Sequence, residues 1–273
     1  MGVIEELALH KQEEATSSES IMKQKFDVII PAYDEEERIG PVLDEVCSFI
    51  YENELPWKVI VSIDGNDGTE EIVFKFSRTY NFVIGLKHER RSGYGGAVKS
   101  GIYKGSGDYI IILEADGAMN FIDVVSNLHF LRDYDIINFD RHSGNEKNIP
   151  FIRRLLSRGY NLYVRVLFNI NVGDIQGGYK IFKMEAARTL FKKITITDGF
   201  FQAALFYYAK KMNLKVVEIN VPYRHRRGSK FGVGNMILGG LVSGLALRVR
   251  NSPLYKYVQK NVVELYYRKF RWI

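Results

Sequence analysis

Two carboxylates two positions apart, Glu114 and Asp116, close the stretch GDYIIILEADG at residues 107–117. An apolar run, Tyr109–Leu113, leads directly into them. A short apolar run bounded by glycine reads as a buried strand of a parallel sheet. In open α/β sheets ligands bind just beyond the carboxyl ends of the strands. Acids spaced i and i+2 there can face one side and hold a hard divalent cation through oxygen. Such a cation bridges protein carboxylates to nucleotide phosphates, so the pair points to chemistry on a nucleotide-activated substrate.

Three further loops carry residues of the same kind. The first strand runs into PAYDEEERI, where Pro31 is expected to end the strand and the acids to favour a helix start through its dipole. The second runs into SIDGNDGT, with Asp64 and Asp67 in a glycine-rich turn and Thr69 as a candidate helix cap. The third runs into SGYGGAVKSG, whose glycines precede a helix and could offer backbone N–H groups to phosphate. Each taken alone also reads as an ordinary turn. Together with EADG they follow consecutive parallel strands, so all four open on one edge of the sheet.

The elements that place these loops alternate. Strands are predicted at Phe26–Ile30, Lys58–Ile63, Phe82–Leu86, Tyr109–Leu113 and Asp135–Asn138. Helices are predicted between them at Glu36–Tyr51, Glu70–Tyr80, Gly95–Tyr103 and Ile122–Leu131. The second half is less regular, with helices at Ile152–Ile170 and Phe200–Met212 and strands at Tyr179–Phe182 and Lys215–Ile219. The βαβα rhythm predicts an α/β fold, a mostly parallel twisted sheet flanked by helices.

The chain has 273 residues, 46% apolar and 26% charged, which suits a folded domain with a substantial core. Its one cysteine, Cys47, sits in an apolar helical pattern and reads as a buried, inert thiol in a reducing compartment. The first twenty residues are polar, carry no export-signal pattern and are expected to form a loose tail or a frayed helix. No run reaches the roughly 18–20 apolar residues that span a bilayer. From Arg224 onward eleven Lys/Arg face one acid, Glu264, a local charge of +10 against +6 for the whole chain, which leaves −4 for residues 1–223. A basic end suggests a polyanionic partner, nucleic acid or anionic lipid. No nucleic-acid motif is present, so nucleic acid is not the expected partner. The aromatics Tyr255, Tyr257, Tyr266, Tyr267, Phe270 and Trp272 alternate with basic residues, which suits a membrane interface. The expected division is a polar tail at 1–22, a catalytic domain at 23–235 and an interfacial segment at 236–273.

The motifs resemble those of the family 2 glycosyltransferases. PAYDEEERI looks like their PAYNEE, SIDGNDGT like a shortened DDGSxDGT, SGYGGAV like GKGGAV, and EADG like the DxD metal motif. The likeness continues through FDRH, RRLLSRGYN, DIQGGYKIF, FFQAAL and YRHRRGSK, over about residues 26–235. The later motifs resemble the polyprenyl-phosphate hexose synthases, with EADGAMNFIDV and DIQGGYKIF closer to the glucose than to the mannose branch. The resemblance implies a GT-A fold and inverting, metal-dependent transfer of a hexose from UDP-glucose or GDP-mannose to dolichyl or polyprenyl phosphate. With the basic, aromatic end, the expectation is a peripheral enzyme on the cytoplasmic face of a membrane, and a separate membrane subunit stays open. The resemblance further implies that Pro31, Ala32, Tyr33, Glu35, Asp64, Gly95, Gly96, Ala115, Ser229 and Lys230 line the nucleotide sugar. Glu114 and Asp116 would meet Mg2+ or Mn2+. Three positions depart from the pattern: Glu114 stands for Asp, Ala118 for Gln and Tyr94 for Lys.

Transfer to a sugar hydroxyl needs a general base, whereas a phosphate acceptor is already an anionic nucleophile. Where many relatives carry that acid, this chain reads FQAAL, which singles out Gln202 and favours a phosphate acceptor. Asp198 lies nearby and keeps a hydroxyl acceptor open. Two anions meeting need cations, and the candidates are Arg141, Arg154, Arg158, Arg224, Arg226, Arg227 and Lys230. Arg141, Arg158 and Arg226 are expected on the acceptor phosphate, with Asp116, Gln202, Arg141 and Arg158 as the catalytic set. His225 is expected at the surface.

Overall fold

A computed structural model describes residues 20–141, 151–197, 200–223 and 233–252. Seven strands form one sheet in the order β3-β2-β1-β4-β6-β5-β7. They are β1 Phe26–Tyr33, β2 Lys58–Asp64, β3 Val83–Lys87, β4 Tyr109–Ile112, β5 Ile136–Asp140, β6 Lys180–Lys183 and β7 Val216–Asn220. β1, β2, β3 and β4 run parallel, β6 is antiparallel to both β4 and β5, and β7 is parallel to β5. Six carboxyl ends and the amino end of β6 therefore lie on one edge. The expected α/β fold with a mostly parallel sheet is what the chain forms.

The helices are α1 Ile39–Glu52, α2 Thr69–Thr79, α3 Gly93–Lys104, α4 Phe121–Val125, α5 Phe151–Phe168, α6 Met184–Lys193, α7 Phe201–Lys211 and α8 Val233–Arg250. Successive strand residues point to opposite faces. Val28 and Ile30 thus enter a core with α1 and α2, while Ile29 enters a second core with α3, α5, α6 and α7. Cys47 is buried in the first core, and burial lifts its thiol to about 12, an inert group as expected.

Several boundaries differ from the sequence reading. β1 does not stop at Pro31 but pairs with β2 through Tyr33. Beyond Ile29 β1 has β2 alone as a partner, and a strand paired on one side tolerates a missing donor. α1 begins at Ile39 rather than Glu36 and has no acid in its first turn, because the acids before it are spent on the neighbouring loop. The helix predicted over Ile122–Leu131 breaks into α4 and a 3-10 turn, Leu128–Arg132. α6 is not among the predicted elements; Ala187, Leu190 and Phe191 form its buried side.

Candidate active site

The loops after β1 and β2 are tied together by their acids. Glu36 N–H donates to Asp67, 3.0 Å, and Gly68 N–H donates to Glu36, 2.8 Å. Glu35 N–H donates to the Thr69 hydroxyl, 2.8 Å, so Thr69 braces the other loop and does not cap its own helix. Asn66 N–H donates to Asp34, whose φ is 51°. Gly65, at φ 98°, packs so closely that a Cβ there would lie 2.0 Å from Asp34 Oδ1. The acids expected to act on a helix dipole are the cross-links of this double loop. At its rim the Arg91 guanidinium lies over the Tyr33 ring at 4.1 Å, and Pro31 and Ala32 lead up to that ring inside β1.

Asp64 is almost fully buried and caps the glycine loop. Its carboxylate accepts from Ser92 N–H at 3.1 Å, from the Ser92 hydroxyl at 3.0 Å and from Gly93 N–H at 3.0 Å. Gly95 N–H donates to the Thr197 carbonyl, 3.3 Å. A Cβ on Gly95 would lie 2.5 Å from the Phe201 ring, and one on Gly96 2.9 Å from Ser92. The expected phosphate cradle thus has its Gly93 and Gly95 N–H groups committed within the protein. The reason for glycine at 95 is the close approach of α3 to α7.

Glu114 and Asp116 follow β4 as expected, with the buried Ala115 between them. Asp116 turns one oxygen to its own loop, where Oδ1 accepts from Ala118 N–H at 3.0 Å. The Glu114 side chain lies directly on Gly178, whose Cβ would come within 2.2 Å of Oε1 and 2.4 Å of Cγ. Desolvation, then the charge of Asp116, lifts the Glu114 carboxyl to about 7, while Arg141 opposes the rise. Among the described residues no group of three or more His, Cys, Asp or Glu could hold a metal. The two carboxylates fit a hard cation whose remaining ligands come from donor phosphate oxygens or water. A cation there would offset the Asp116 repulsion that adds to the effect of burial on Glu114.

Facing them is a buried charged network that the sequence reading did not assemble. Arg141, just past β5, grips Asp174 with two hydrogen bonds, Nε to Oδ2 at 2.6 Å and Nη2 to Oδ1 at 2.9 Å. Asp174 is completely buried. Glu218 of β7 accepts from Gly173 N–H, 2.7 Å, Asp174 N–H, 2.9 Å, and the Asn138 amide, 2.9 Å. The Lys180 ammonium, also buried, donates to the Gly177 carbonyl. Desolvation lowers Lys180 to about 7, with Asp174 pulling the other way. Tyr223 lies 5.8 Å from Arg141, and burial pushes its hydroxyl up to about 12. A signal for Lys180 and Glu218 existed: each is a charge inside a strand pattern, YKIF and VVEIN.

Gln202 is buried on α7, and its amide hydrogen-bonds the Tyr94 hydroxyl. That hydroxyl donates to the Gly178 carbonyl, 3.3 Å, so the residue in place of the family Lys reaches the strip beneath Glu114. Gln202 Oε1 is buried without a hydrogen-bond partner. Arg158 sits on an exposed side of α5, and Glu35 pairs with Arg38. Asp198, Arg224, His225, Arg226, Arg227, Ser229, Lys230 and the Arg154 side chain lie outside the described residues.

A mostly parallel sheet between two helix layers, with acids, an arginine–aspartate ion pair and glycine loops on one edge, defines a class, the GT-A glycosyltransferases. Crystal structures share the fold. Glucosyl-3-phosphoglycerate synthase from Mycobacterium tuberculosis in complex with UDP superposes with TM-score 0.64 at 17% identity, covering 85% of this chain and 83% of that one. The same synthase has been crystallised with Mn2+, UDP and glucosyl-3-phosphoglycerate, and this complex also gives a TM-score of 0.64, at 16% identity and over 86% and 83% of the two chains. Mannosyl-3-phosphoglycerate synthase from Rubrobacter xylanophilus gives 0.65 at 15% identity, over 87% and 77%.

The Glycosyl transferase family 2 model matches residues 27–191, more than half of the chain. The chain belongs to this family and is a glycosyltransferase. Dolichyl-phosphate beta-glucosyltransferase of Dictyostelium discoideum is 30% identical over 222 residues, 75% of this chain and 68% of its own length. The Homo sapiens enzyme of the same name is 30% identical over 227 residues, 76% and 69%.

Proposed function

We propose that this protein transfers glucose, with inversion, from UDP-glucose to dolichyl or polyprenyl phosphate. The observation that carries the reading is the placement of Glu114 and Asp116 opposite the Arg141–Asp174 pair on the carboxyl edge. Two carboxylates able to take a cation, near a fixed guanidinium, would supply the two charges that an anionic donor and an anionic acceptor require. The similarity to dolichyl-phosphate beta-glucosyltransferases supports glucose and a lipid phosphate over mannose.

In this mechanism Tyr33, with Pro31, Ala32 and Glu35 around it, receives the base and ribose, and Arg91 yields the Tyr33 face. Asp64 holds the glycine loop of Gly95 and Gly96 against the donor. Glu114 and Asp116 would hold Mg2+ or Mn2+, which when bound neutralises charge on the leaving diphosphate. Asp174 fixes Arg141 so that its remaining N–H groups meet the acceptor phosphate, with Arg158 and Arg226 completing the cation set. Gln202 offers its unpaired oxygen to a donor or acceptor hydroxyl. The acceptor oxygen attacks the anomeric carbon as the bond to the diphosphate breaks, and no general base is needed because the nucleophile is already an anion. By the family resemblance Ser229 and Lys230 would contribute to the donor phosphates.

The enzyme works peripherally on the cytoplasmic face of a membrane, with residues 23–235 as the transferase unit and 236–273 at the interface. No helix among the described residues is long and apolar enough to cross a membrane. The test offers purified protein a short polyprenyl phosphate with Mg2+ or Mn2+ and labelled UDP-glucose or GDP-mannose. Organic-phase label from UDP-glucose that Asp116→Ala abolishes is the expected result. Label from GDP-mannose alone would reassign the sugar. Label that stays in the aqueous phase on a saccharide, and is lost in Asp198→Asn, would reassign the acceptor.

A further inference from the structure

Among the described residues ten large hydrophobic side chains are exposed, and six of them lie on only two helices, α5 and α8. The other four, Tyr51, Phe74, Tyr103 and Ile122, are scattered one to a helix, as on any soluble surface. On α5, Leu155, Leu162 and Val166 are 59%, 61% and 74% exposed. Their spacing of i, i+7 and i+11 makes a single stripe at 3.6 residues per turn. On α8, Val242 and Leu245 are 41% and 54% exposed.

The two helices form one slab. Tyr163 donates to the Leu241 carbonyl, 2.9 Å. Gly240 and Gly244 let the α8 backbone lie on the Tyr160, Tyr163 and Phe200 rings, where a Cβ would come within 2.6 Å of Tyr160 and 2.9 Å of Tyr163. Their charge is of one sign. The sequences of α5 and α8 contain Arg153, Arg154, Arg158, Arg165, Arg248 and Arg250 and not one Asp, Glu or Lys. Arg158 and Arg165 flank the α5 stripe at the spacing of two turns, and Arg248 and Arg250 close the α8 end, all four exposed.

We propose that the α5–α8 face is the surface by which this protein docks on an anionic bilayer. The inference rests on the lipid-phosphate reading for its purpose, because such an acceptor is held in the bilayer by its tail. Apolar side chains enter the head-group layer while arginines alongside bury their stems and keep their guanidinium groups at the phosphates. Charge decides against the other occupants. The following segment, residues 253–273, carries five Lys/Arg and one acid, so folding it over the stripe would set like charges together. A second copy would oppose arginine to arginine. A nucleic acid would satisfy the arginines and leave the leucines uncovered.

The test is co-sedimentation of the full chain with phosphatidylcholine vesicles, with and without phosphatidylserine, and free of any polyprenyl phosphate. Leu162→Ser/Val166→Ser alters only solvent-facing side chains outside the catalytic set. It is expected to lower vesicle binding at least tenfold, the scale of about two apolar side chains returned to water. Arg165→Ala/Arg248→Ala is expected to remove the phosphatidylserine dependence. Binding unchanged in the first variant overturns the proposal and leaves the basic segment as the anchor. A wild-type dimer that the same variant dissolves gives the face to a second copy instead and also overturns it. Transfer to a short acceptor in detergent reads the function separately. Transfer without vesicle binding sinks the docking face alone, and vesicle binding without transfer sinks the acceptor and spares the face.

Discussion

Glu114 has one more methylene than the Asp of the related motif, and the fold accommodates it by leaving no side chain at Gly178. A methyl group there would meet Glu114 at Cγ and Oε1, closer than real atoms approach. Gly178→Ala should therefore push the carboxylate off its position. Misplacement by about 1 Å can cost on the order of 100-fold. The expected outcome is a fall in kcat/KM of at least about tenfold with a melting temperature near that of wild type. Asp174 belongs to the same scale. It is wholly buried and holds Arg141 by two bonds, so Asp174→Ala leaves a guanidinium without its counter-charge. Breaking such a pair costs about 3–5 kcal/mol, and a urea titration would read the loss. A variant as stable as wild type would mean that water replaces the carboxylate.

At the scale of elements, the loops rather than the strands carry the strain and the function. α3 has no side-chain cap of its own, and its start is held by Asp64 from the end of β2. Asp64→Ala removes the acceptor for Ser92 and Gly93 N–H together. The expected cost is about 1–3 kcal/mol, with faster amide exchange in the first turn of α3 than elsewhere in the sheet. If exchange there stays at the wild-type rate, the Thr197 and Phe201 contacts suffice to hold the loop. The antiparallel β6 has a different task. By entering the sheet between β4 and β5 in the reverse direction, it brings its amino end, with Gly177, Gly178 and Lys180, to the edge where the other strands finish.

At the scale of the whole molecule, Lys180 makes stability depend on pH. Its value in the folded protein, about 7, lies below its ordinary 10.5. Between those two values the unfolded chain holds a proton that the folded chain has shed, so this group's contribution to stability rises with pH across that window. Below about 7 the buried ammonium must be charged and its cost is fully present. Lys180→Met should remove that part of the slope, visible as a smaller change in urea midpoint between neutral and alkaline pH in the variant than in wild type. Equal slopes would mean that Asp174, Glu114 and Glu218 keep the ammonium charged throughout.

Periodicity was enough to predict the α/β order and, through it, which loops share an edge. Apolar runs of four to six residues ending in acids or glycines have few other physical explanations. It also isolated Glu114 and Asp116, because carboxylates at the end of a buried strand are costly without a purpose. What it could not supply was partnership across distance. Asp64 with Ser92, Glu36 with Asp67 and Arg141 with Asp174 join residues about thirty apart, and no local pattern encodes such pairs. Pro31 looked like a stop because a lone strand has no way to show that one of its sides is unpaired. The reversal of β6, the network around Lys180 and Glu218, and the joining of two arginine-flanked helices into one face were decided only by packing. Each depends on which elements lie side by side, and the sheet order that fixes this is a property of the whole chain.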